Sequence, residues 1–411
     1  MLIRRALYKT TPVRLRMPMQ MRNMSTTTHQ STAAKASSSK SAMGGKAFSD
    51  SSFDVDRYLS NRPRYPPHLY EWVRKYVSSS VSEGTGTRTL LDVGCGPGFA
   101  AFPLLQRAQE LLPQFDSLIG VDTSASMVSC APGAFESYKQ GTTAEPSCNN
   151  TRVQFHVGSS DSMPLLPAHS VNVSIAATAA HWFEYKSTWT ELSRVMAPGG
   201  AVVWWTYGEH FLPDHVRLAS RINAFMQGGS PGSASEEQDQ ESIGPYFEQP
   251  GRGRLTNLLR DLPFPHDPTL ALGEEVTTQW DASSAIRKTH PMLEDTQDGV
   301  AKVDSSYYAN TTFTQREGES PAEPFRLEQV MTWDQYEGYI RTSSALHSYL
   351  KVHPRDKQGG EGDIASRFVS RLKREVLDDR KVNNVGTQEG LDDEHVRVAW
   401  PLGLMAVKKK Q

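Results

Sequence analysis

Residues 90–98, with the sequence LLDVGCGPG, constrain the fold of this chain more than any other stretch. A short apolar run ends in three closely spaced glycines, which is typical of a buried strand that turns sharply into a helix beside a ligand. Four further apolar runs predict strands at 118–122, 153–157, 171–177 and 201–207. Helical patterns lie between them at 99–112, 124–131 and 187–196. This alternation predicts a doubly wound, mostly parallel α/β sheet of Rossmann-like type.

The remaining patterns place further elements around this core. A helix is predicted at 67–81 and a flexible insertion at 228–250. Residues 133–150 predict a long polar loop, with a helical remnant as the alternative for part of it. The C-terminal part predicts two helices, at 331–350 and 364–376. A closing antiparallel pair of strands is predicted at 396–400 and 402–407. The expected sheet therefore has seven strands with an antiparallel closing strand. The predicted division of the chain is 1–46, a core at 47–208, a substrate-side cap at 209–330 and closing elements at 331–411.

The first 46 residues differ in composition from the rest. They hold nine Lys or Arg and no Asp or Glu, among many Ser and Thr. This composition is typical of a mitochondrial transit peptide, which predicts a mitochondrial protein. The alternative is a disordered basic tail that is not a targeting signal, with translation starting at Met24 and the protein in the cytoplasm. In both cases the segment is expected to lie outside the fold.

Composition also excludes several classes of partner. Residues 47–411 hold 35 Lys or Arg against 46 Asp or Glu, and so acidic a body is a poor match for nucleic acid. No stretch of about 18 apolar residues is present to span a membrane. The three cysteines have no metal-type spacing and do not form a disulfide framework. The expected protein is a monomer that binds a small-molecule acceptor and no metal.

The glycine turn and its acidic neighbours indicate one ligand. Gly94, Gly96 and Gly98 lack the G-x-G-x-x-G spacing of dinucleotide folds. Asp92 would repel a pyrophosphate and attract an ammonium, whereas Asp122, at the end of the second strand, can accept both hydroxyls of a ribose. A ribose with a cationic amino-acid end and no pyrophosphate describes S-adenosyl-L-methionine. A nicotinamide-dependent dehydrogenase is the alternative, and binding of NAD would identify it.

Other residues near the carboxyl ends of the predicted strands are candidates for cofactor contacts. Ser160 and Asp161 follow the third strand, where the adenine edge would be recognised, although Asp161 has ordinary loop polarity as its alternative. Ala177 ends the fourth strand. Cys95 is predicted to fill space between glycines rather than to act as a nucleophile, because no base is placed to serve it.

Four stretches together resemble the class I S-adenosylmethionine-dependent methyltransferases. They read DVGCGPG, GVDTSASMV, AATAAHWF and LSRVMAPGGAVVWW, and the resemblance covers residues 90–207. Two flanking pieces, YLSNRPRYP at 58–66 and MTWDQYEGYIRTSSALH at 331–347, resemble the fungal trans-aconitate methyltransferase group. That resemblance implies methyl transfer to a small carboxylic acid, which gives a methyl ester.

The end of the fourth strand and the two family-like segments suggest where the acceptor would bind. His181 and Trp182 follow the fourth strand and are predicted to form the floor and wall of the acceptor pocket, with a packed, satisfied histidine as the alternative. The two family-like segments contain further candidates for acceptor binding: Arg62, Arg64, Arg341 and His347. A guanidinium matches a carboxylate bidentately, so at least one arginine is expected to hold the acceptor, the others pairing with surface carboxylates.

The expected reaction is an in-line displacement in which positioning provides most of the catalysis. A carboxylate is already ionised at neutral pH and needs no general base. An amine or carbon acceptor would need one, for which His181 and His347 are the candidates. Methylation of another small molecule, such as a quinone ring, and a non-catalytic cofactor-binding protein remain as alternatives.

Overall fold

A computed structural model describes residues 48, 50, 53–81, 87–106, 115–141, 150–228, 241–290, 325–356, 362–383 and 392–411. They belong to one unit, Met43–Gln411. The predicted transit peptide at 1–46 and residues 229–240 of the predicted flexible insertion lie outside the described residues. None of the helices in the described part of the chain combines the length and the apolar composition that a membrane span requires.

A mixed sheet forms the centre of the fold, with the strand order β3-β2-β1-β4-β5-β8-β6. The first five strands are parallel, and β8 runs antiparallel to both β5 and β6. The strands are Thr89–Val93 (β1), Ser117–Asp122 (β2), Arg152–Val157 (β3), Val171–Ala177 (β4), Met196–Tyr207 (β5), Trp280–Thr289 (β6), Arg326–Thr332 (β7) and His395–Lys409 (β8). The Rossmann-like fold class predicted from the sequence is confirmed.

Helices cover both faces of this sheet. They are Val55–Asn61 (α1), Pro67–Val77 (α2), Ala125–Gly141 (α3), Tyr185–Val195 (α4), Ala219–Gln227 (α5), Gly251–Thr256 (α6), Glu274–Thr277 (α7), Trp333–Ile340 (α8), Ser344–Val352 (α9) and Ile364–Asn383 (α10). Strand residues alternate between the two faces: Trp204 and Trp205 are both fully buried, in two different hydrophobic clusters. Burial on both faces explains why the central strands are continuously apolar.

Two predicted connections differ from the structure. The helix expected at 99–112 is only a 3₁₀ segment, Phe102–Leu105, and the residues after 106 lie outside the described part. Pro103 opposes an α-helix there, because it removes an amide donor and restricts the residue before it. The stretch expected as a loop at 133–150 is helical up to Gly141, as its alternative allowed, because α3 continues to that residue and buries Phe135 against Phe102.

The C-terminal elements also differ from the prediction. The helix expected at 331–350 is two helices, since the chain turns between Arg341 and Ser343. The expected closing pair at 396–400 and 402–407 is one strand, β8, whose first half pairs with β7 and whose second half pairs with β5 and β6. β7 is therefore an eighth strand off the main path. The predicted cap range, 209–330, contributes β6 to the sheet.

Candidate functional site

The glycine turn after β1 brings backbone close to the end of β4. Gly94 has φ +71°, and a Cβ there would lie 2.4 Å from the Cβ of Ala179. Gly96 has φ +51°, and a Cβ on it would meet no atom within 4 Å, so the space above it is open. Gly98 closes the turn by donating to the carbonyl of Cys95 at 2.9 Å. The turn is therefore tight on its β4 side and open at Gly96.

Asp92 is a buried carboxylate without a protein partner. It lies in β1 with 1% of its surface exposed, and within the described residues neither carboxylate oxygen has a hydrogen-bond partner. Burial, and secondarily the nearby charge of Asp122, raise the pKa of Asp92 to about 8. A buried carboxylate left without a partner is costly unless a ligand supplies the counter-charge. The predicted ammonium of the cofactor is such a ligand.

Asp122 ends β2 and connects the glycine turn to the third strand. Its carboxylate accepts from the amides of Gly96 and Ser124, each at 2.8 Å. Burial raises its pKa, while these amide bonds lower it. Its own carbonyl accepts from the amide of Gly158 at 2.9 Å. Asp122 therefore lies between the glycine turn and the turn after β3.

The other predicted cofactor residues surround this pair. Ser160 is buried, its hydroxyl 2.8 Å from that of Thr188, and Asp161 accepts from the hydroxyl of Ser159. The Cys95 thiol donates to the carbonyl of Gly96 at 3.3 Å, and burial raises its pKa well above the usual value. A thiol that stays protonated is a poor nucleophile, in keeping with a space-filling role. Ala177, half-buried, ends β4 beside these turns.

His181 and Trp182 lie in the 3₁₀ turn Ala180–Trp182 after β4, with their rings 4.9 Å apart. His181 is 3% exposed, and Nδ1 has no hydrogen-bond partner within the described part of the chain. Burial, with the nearby guanidinium groups of Arg252 and Arg254, lowers its pKa to about 3. Trp182 contacts α6, where a Cβ on Gly251 would lie 2.4 Å from the indole. A neutral histidine of so low a pKa is a weak general base.

Arg62 lies just after α1 among three tyrosines. Its guanidinium donates to the hydroxyl of Tyr207 at 2.8 Å and to the carbonyl of Thr342 at 3.3 Å. The guanidinium carbon is 5.0 Å from the ring centre of Tyr58 and 5.7 Å from that of Tyr339. Nε is buried without a partner, and within the described residues no carboxylate pairs with this guanidinium. Despite burial, the surrounding phenols raise the pKa of Arg62.

Tyr65 connects the surroundings of Arg62 with the end of β4. Its hydroxyl is 2.8 Å from the Thr178 hydroxyl, and its ring centre lies 6.0 Å from that of Tyr207. Thr178 directly follows Ala177 and has a positive φ of 51°. A left-handed threonine costs energy and is retained only where surrounding contacts hold it. Arg62 is thereby joined to the cofactor edge by two tyrosines, Tyr207 and Tyr65.

The other acceptor candidates have protein partners. Arg341 pairs with Glu337 at 2.7 Å and with Asp363 at 2.7 Å, so its guanidinium contacts two carboxylates of the protein itself. The contact with an acceptor that was expected of Arg341 stays a prediction. Arg64 is exposed and lies over the Phe99 ring, 3.4 Å from its centre. His347 faces Asp50 at 3.5 Å.

A buried chain of polar groups after β5 was missed by the sequence interpretation. Glu209 accepts from Arg252 and, at 2.7 Å, from Nδ1 of His210. Nε2 of the same ring lies 2.7 Å from the hydroxyl of Tyr336. Arg252 and His210 lower the pKa of Glu209 to about 2, despite its burial. The position of Glu209 and His210 directly after a parallel strand was the signal available in the sequence.

These features define an α/β fold whose ligand edge, at the carboxyl ends of β1, β2 and β4, presents an unpaired carboxylate and an open glycine turn. In the described residues no group of three or more His, Cys, Asp or Glu could hold a metal ion. Residues 91–204 match the family model described as "Methyltransferase domain".

Two curated relatives are also named as methyltransferases. A probable S-adenosylmethionine-dependent methyltransferase of Saccharomyces cerevisiae is 25% identical over 184 residues, 44% of this chain and 54% of the relative. An uncharacterized methyltransferase of Schizosaccharomyces pombe is 29% identical over 153 residues, covering 37% of this chain and 50% of the relative. The chain thus spans about half the length of the curated relatives it matches. A putative type II methyltransferase structure from Anaeromyxobacter dehalogenans has a TM-score of 0.45 at 23% identity, covering 84% of this chain and 97% of that one.

Residues 91–204 therefore form a methyltransferase domain, whose cofactor is S-adenosyl-L-methionine. The residues suit that cofactor: Asp92 offers the negative charge that an ammonium needs, and Asp122 offers a carboxylate beside the glycine turn. The fold, the enzyme class and the cofactor predicted from the sequence are confirmed. The roles of the individual site residues stay predictions.

Proposed function

We propose that the protein transfers a methyl group from S-adenosylmethionine to a carboxylate oxygen of a small organic acid, giving a methyl ester and S-adenosylhomocysteine. One observation carries the choice of acceptor. Arg62 is joined to the cofactor edge through Tyr207 and Tyr65, and no described carboxylate pairs with it. A guanidinium with an unpartnered Nε suits the bidentate geometry of a carboxylate. Trans-aconitate, which the sequence resemblance implies, is the first acid to test.

The protonation states of the site favour the same acceptor. His181, with a pKa of about 3, and Tyr58, whose pKa burial raises to about 12, are poorly suited to remove a proton at neutral pH. An amine or a ring carbon needs such a base, whereas a carboxylate of pKa about 4 is already ionised. The absence of a suitable base in these two positions is therefore no obstacle to ester formation.

The chain would contribute mainly binding and alignment. S-adenosylmethionine supplies an electrophilic methyl group on a sulfonium. Asp92 and Asp122 would orient the two ends of the cofactor, while Arg62 would fix the acid with one oxygen in line with the methyl carbon. Such positioning of two reactants can lower a barrier by about 7–11 kcal/mol without a covalent intermediate.

The test uses the purified full-length chain, S-adenosylmethionine and a panel of small mono-, di- and tricarboxylic acids. Release of S-adenosylhomocysteine is followed, and Arg62→Met is compared with Arg57→Met. Arg57 lies in α1, the helix that Arg62 follows. It is exposed and, among the described residues, pairs with Asp54 alone, so it is the matched control. We expect Arg62→Met to raise the KM for the acid about tenfold or more, because a charge-assisted hydrogen bond is lost, and to leave cofactor affinity unchanged.

Two results would overturn the proposal. Turnover of no acid, with cofactor binding demonstrated by calorimetry, would exclude the carboxylate acceptor, and turnover of a quinone-type compound would then identify the alternative. A loss of cofactor affinity in Arg62→Met, with an unchanged KM for the acid, would show that Arg62 does not bind the acceptor.

A further inference from the structure

The amino-acid end of S-adenosylmethionine carries a carboxylate beside its ammonium, and each of these charges needs a partner. Asp92 offers the negative group, since neither of its carboxylate oxygens has a hydrogen-bond partner among the described residues. The two charges of the ligand are attached to the same carbon atom, so the cationic partner has to lie near the glycine turn that follows Asp92. It also has to be accessible and without an acidic partner of its own.

Arg64 meets these requirements. It is exposed, and among the described residues it has no carboxylate partner, since its Nη2 donates to the carbonyl of Leu59 at 3.3 Å. Its guanidinium carbon lies 3.4 Å from the centre of the Phe99 ring, and Phe99 directly follows Gly98, the last glycine of the turn. A guanidinium that lies over a ring keeps N–H groups at its edge available for a carboxylate.

Tyr70, a buried residue of α2, relates the position of Arg64 to that of Asp92. Burial is the largest reason why the pKa of Tyr70 is raised; the Asp92 carboxylate raises it further, whereas the Arg64 guanidinium lowers it. Both charged groups therefore lie within electrostatic range of the same side chain. Within the glycine turn itself, a Cβ on Gly96 would meet no atom within 4 Å, so the turn offers open space to a ligand.

Two other arginines without a described carboxylate partner lie further from this turn. Arg62 donates to the hydroxyl of Tyr207 at the end of β5, two strands away from β1 in the sheet. Arg254 donates to the carbonyl of His181 at 3.4 Å and lies over the ring of Tyr185. Tyr185 belongs to the hydrophobic cluster on the face of the sheet opposite to that of Tyr70.

Arg74 is the remaining arginine that acts electrostatically on Tyr70. It is only 8% exposed, and its guanidinium donates to the carbonyl of Pro103 at 2.6 Å. The charge of Glu71, one turn earlier in α2, also acts on it. Arg74 is therefore less accessible to a ligand than Arg64, and it already has an acidic neighbour.

We propose that Arg64 binds the carboxylate at the amino-acid end of S-adenosylmethionine, in place of the acceptor contact that its sequence position suggested. Asp92 and Arg64 would then hold the two opposite charges of one amino-acid group. A protein with this pair selects the complete cofactor over its decarboxylated form. The inference concerns the cofactor and does not depend on the identity of the acceptor.

The test compares the binding of two ligands to the full-length protein by isothermal titration calorimetry. S-adenosylmethionine and decarboxylated S-adenosylmethionine differ only in the carboxylate. We expect the wild type to bind the complete cofactor about tenfold or more tightly, because a charge-assisted hydrogen bond is present with that ligand alone. Arg64→Met should lose this preference by weakening the complete cofactor alone.

Two further variants make the comparison specific. Arg64→Lys should retain part of the preference, since it keeps the charge but not the planar donor group. Arg57→Met, at an exposed arginine that pairs with Asp54, should match the wild type with both ligands.

Three results would overturn the inference. Equal affinity of the wild type for the two ligands would show that no protein group selects the carboxylate. An unchanged preference in Arg64→Met would place the carboxylate contact at another residue. An equal loss of affinity for both ligands in Arg64→Met would show that Arg64 supports the fold of the site without contacting the carboxylate.

Discussion

The raised pKa of Asp92 predicts how cofactor affinity depends on pH. In the ligand-free protein its pKa is about 8, because it is buried and lies near Asp122. The cofactor ammonium is expected to bind the ionised carboxylate. At pH 6, two units below the pKa, only about 1% of Asp92 is ionised, and the affinity should be about 100-fold below its value with the group fully ionised.

The acid side of the profile should therefore have a slope of about tenfold in Kd per pH unit, with affinity rising from pH 6 to pH 7.5. Above pH 8 the α-amino group of the ligand, whose ordinary pKa is about 8, loses its proton and affinity should fall again. The maximum is expected near pH 8. The stability of the ligand-free protein should change in the opposite direction to cofactor affinity. Because folding raises the pKa of the Asp92 carboxyl, the free energy of unfolding falls as pH rises from about 4 to 8.

Isothermal titration calorimetry with S-adenosylhomocysteine, which carries the same ammonium, measures this directly. Methylthioadenosine lacks the amino-acid end and is the matched ligand control, since any slope from Asp122 would affect both compounds. Asp92→Asn should abolish the acid slope for S-adenosylhomocysteine. Equal slopes for both ligands, or a flat profile between pH 6 and 7.5, would refute the assignment of Asp92 to the ammonium.

Three substitutions test other parts of the site. Asp122→Ala should weaken cofactor binding at least about tenfold by calorimetry, because a charged acceptor for two ribose hydroxyls is lost; unchanged affinity would refute the ribose contact. Arg341→Met should lower the Tm, since Asp363 loses its guanidinium partner, and should leave the KM for the acid unchanged. A raised KM at wild-type Tm would show instead that Arg341 binds the acceptor. Glu209→Gln should also lower the Tm, because Arg252 then lies beside a neutral group, and a wild-type Tm would contradict the importance of that pair.

The features predicted correctly from sequence are those that depend on short-range patterns. The strands around Asp92 and Asp122 are continuous apolar runs, and each acid occupies a fixed place at or near the end of its strand. Because the carboxyl ends of parallel strands meet at one edge, local sequence was enough to bring them together. The position of His181 directly after the fourth strand could be predicted from local sequence in the same way.

The contacts that distinguish the arginines could not be predicted in this way. Arg62 meets Tyr207, 145 residues away, and Arg341 meets Asp363 across a turn that the sequence had placed inside one helix. Whether an arginine has an acidic partner depends on such long-range packing, which residue type and spacing do not specify. The continuation of α3 to Gly141 could be predicted only as an alternative for a related reason, since Phe135 favours helix there by burying itself against Phe102.

The most direct test of the central claim follows the methyl group itself. The full-length protein is incubated with S-adenosylmethionine carrying a deuterated methyl group and the best acid of the panel, and the product is hydrolysed in alkali. We expect the label to return quantitatively as deuterated methanol, because a methyl ester is cleaved under these conditions. Label that stays on the acceptor after hydrolysis would place the methyl group on carbon, nitrogen or an ether oxygen, and would contradict transfer to a carboxylate.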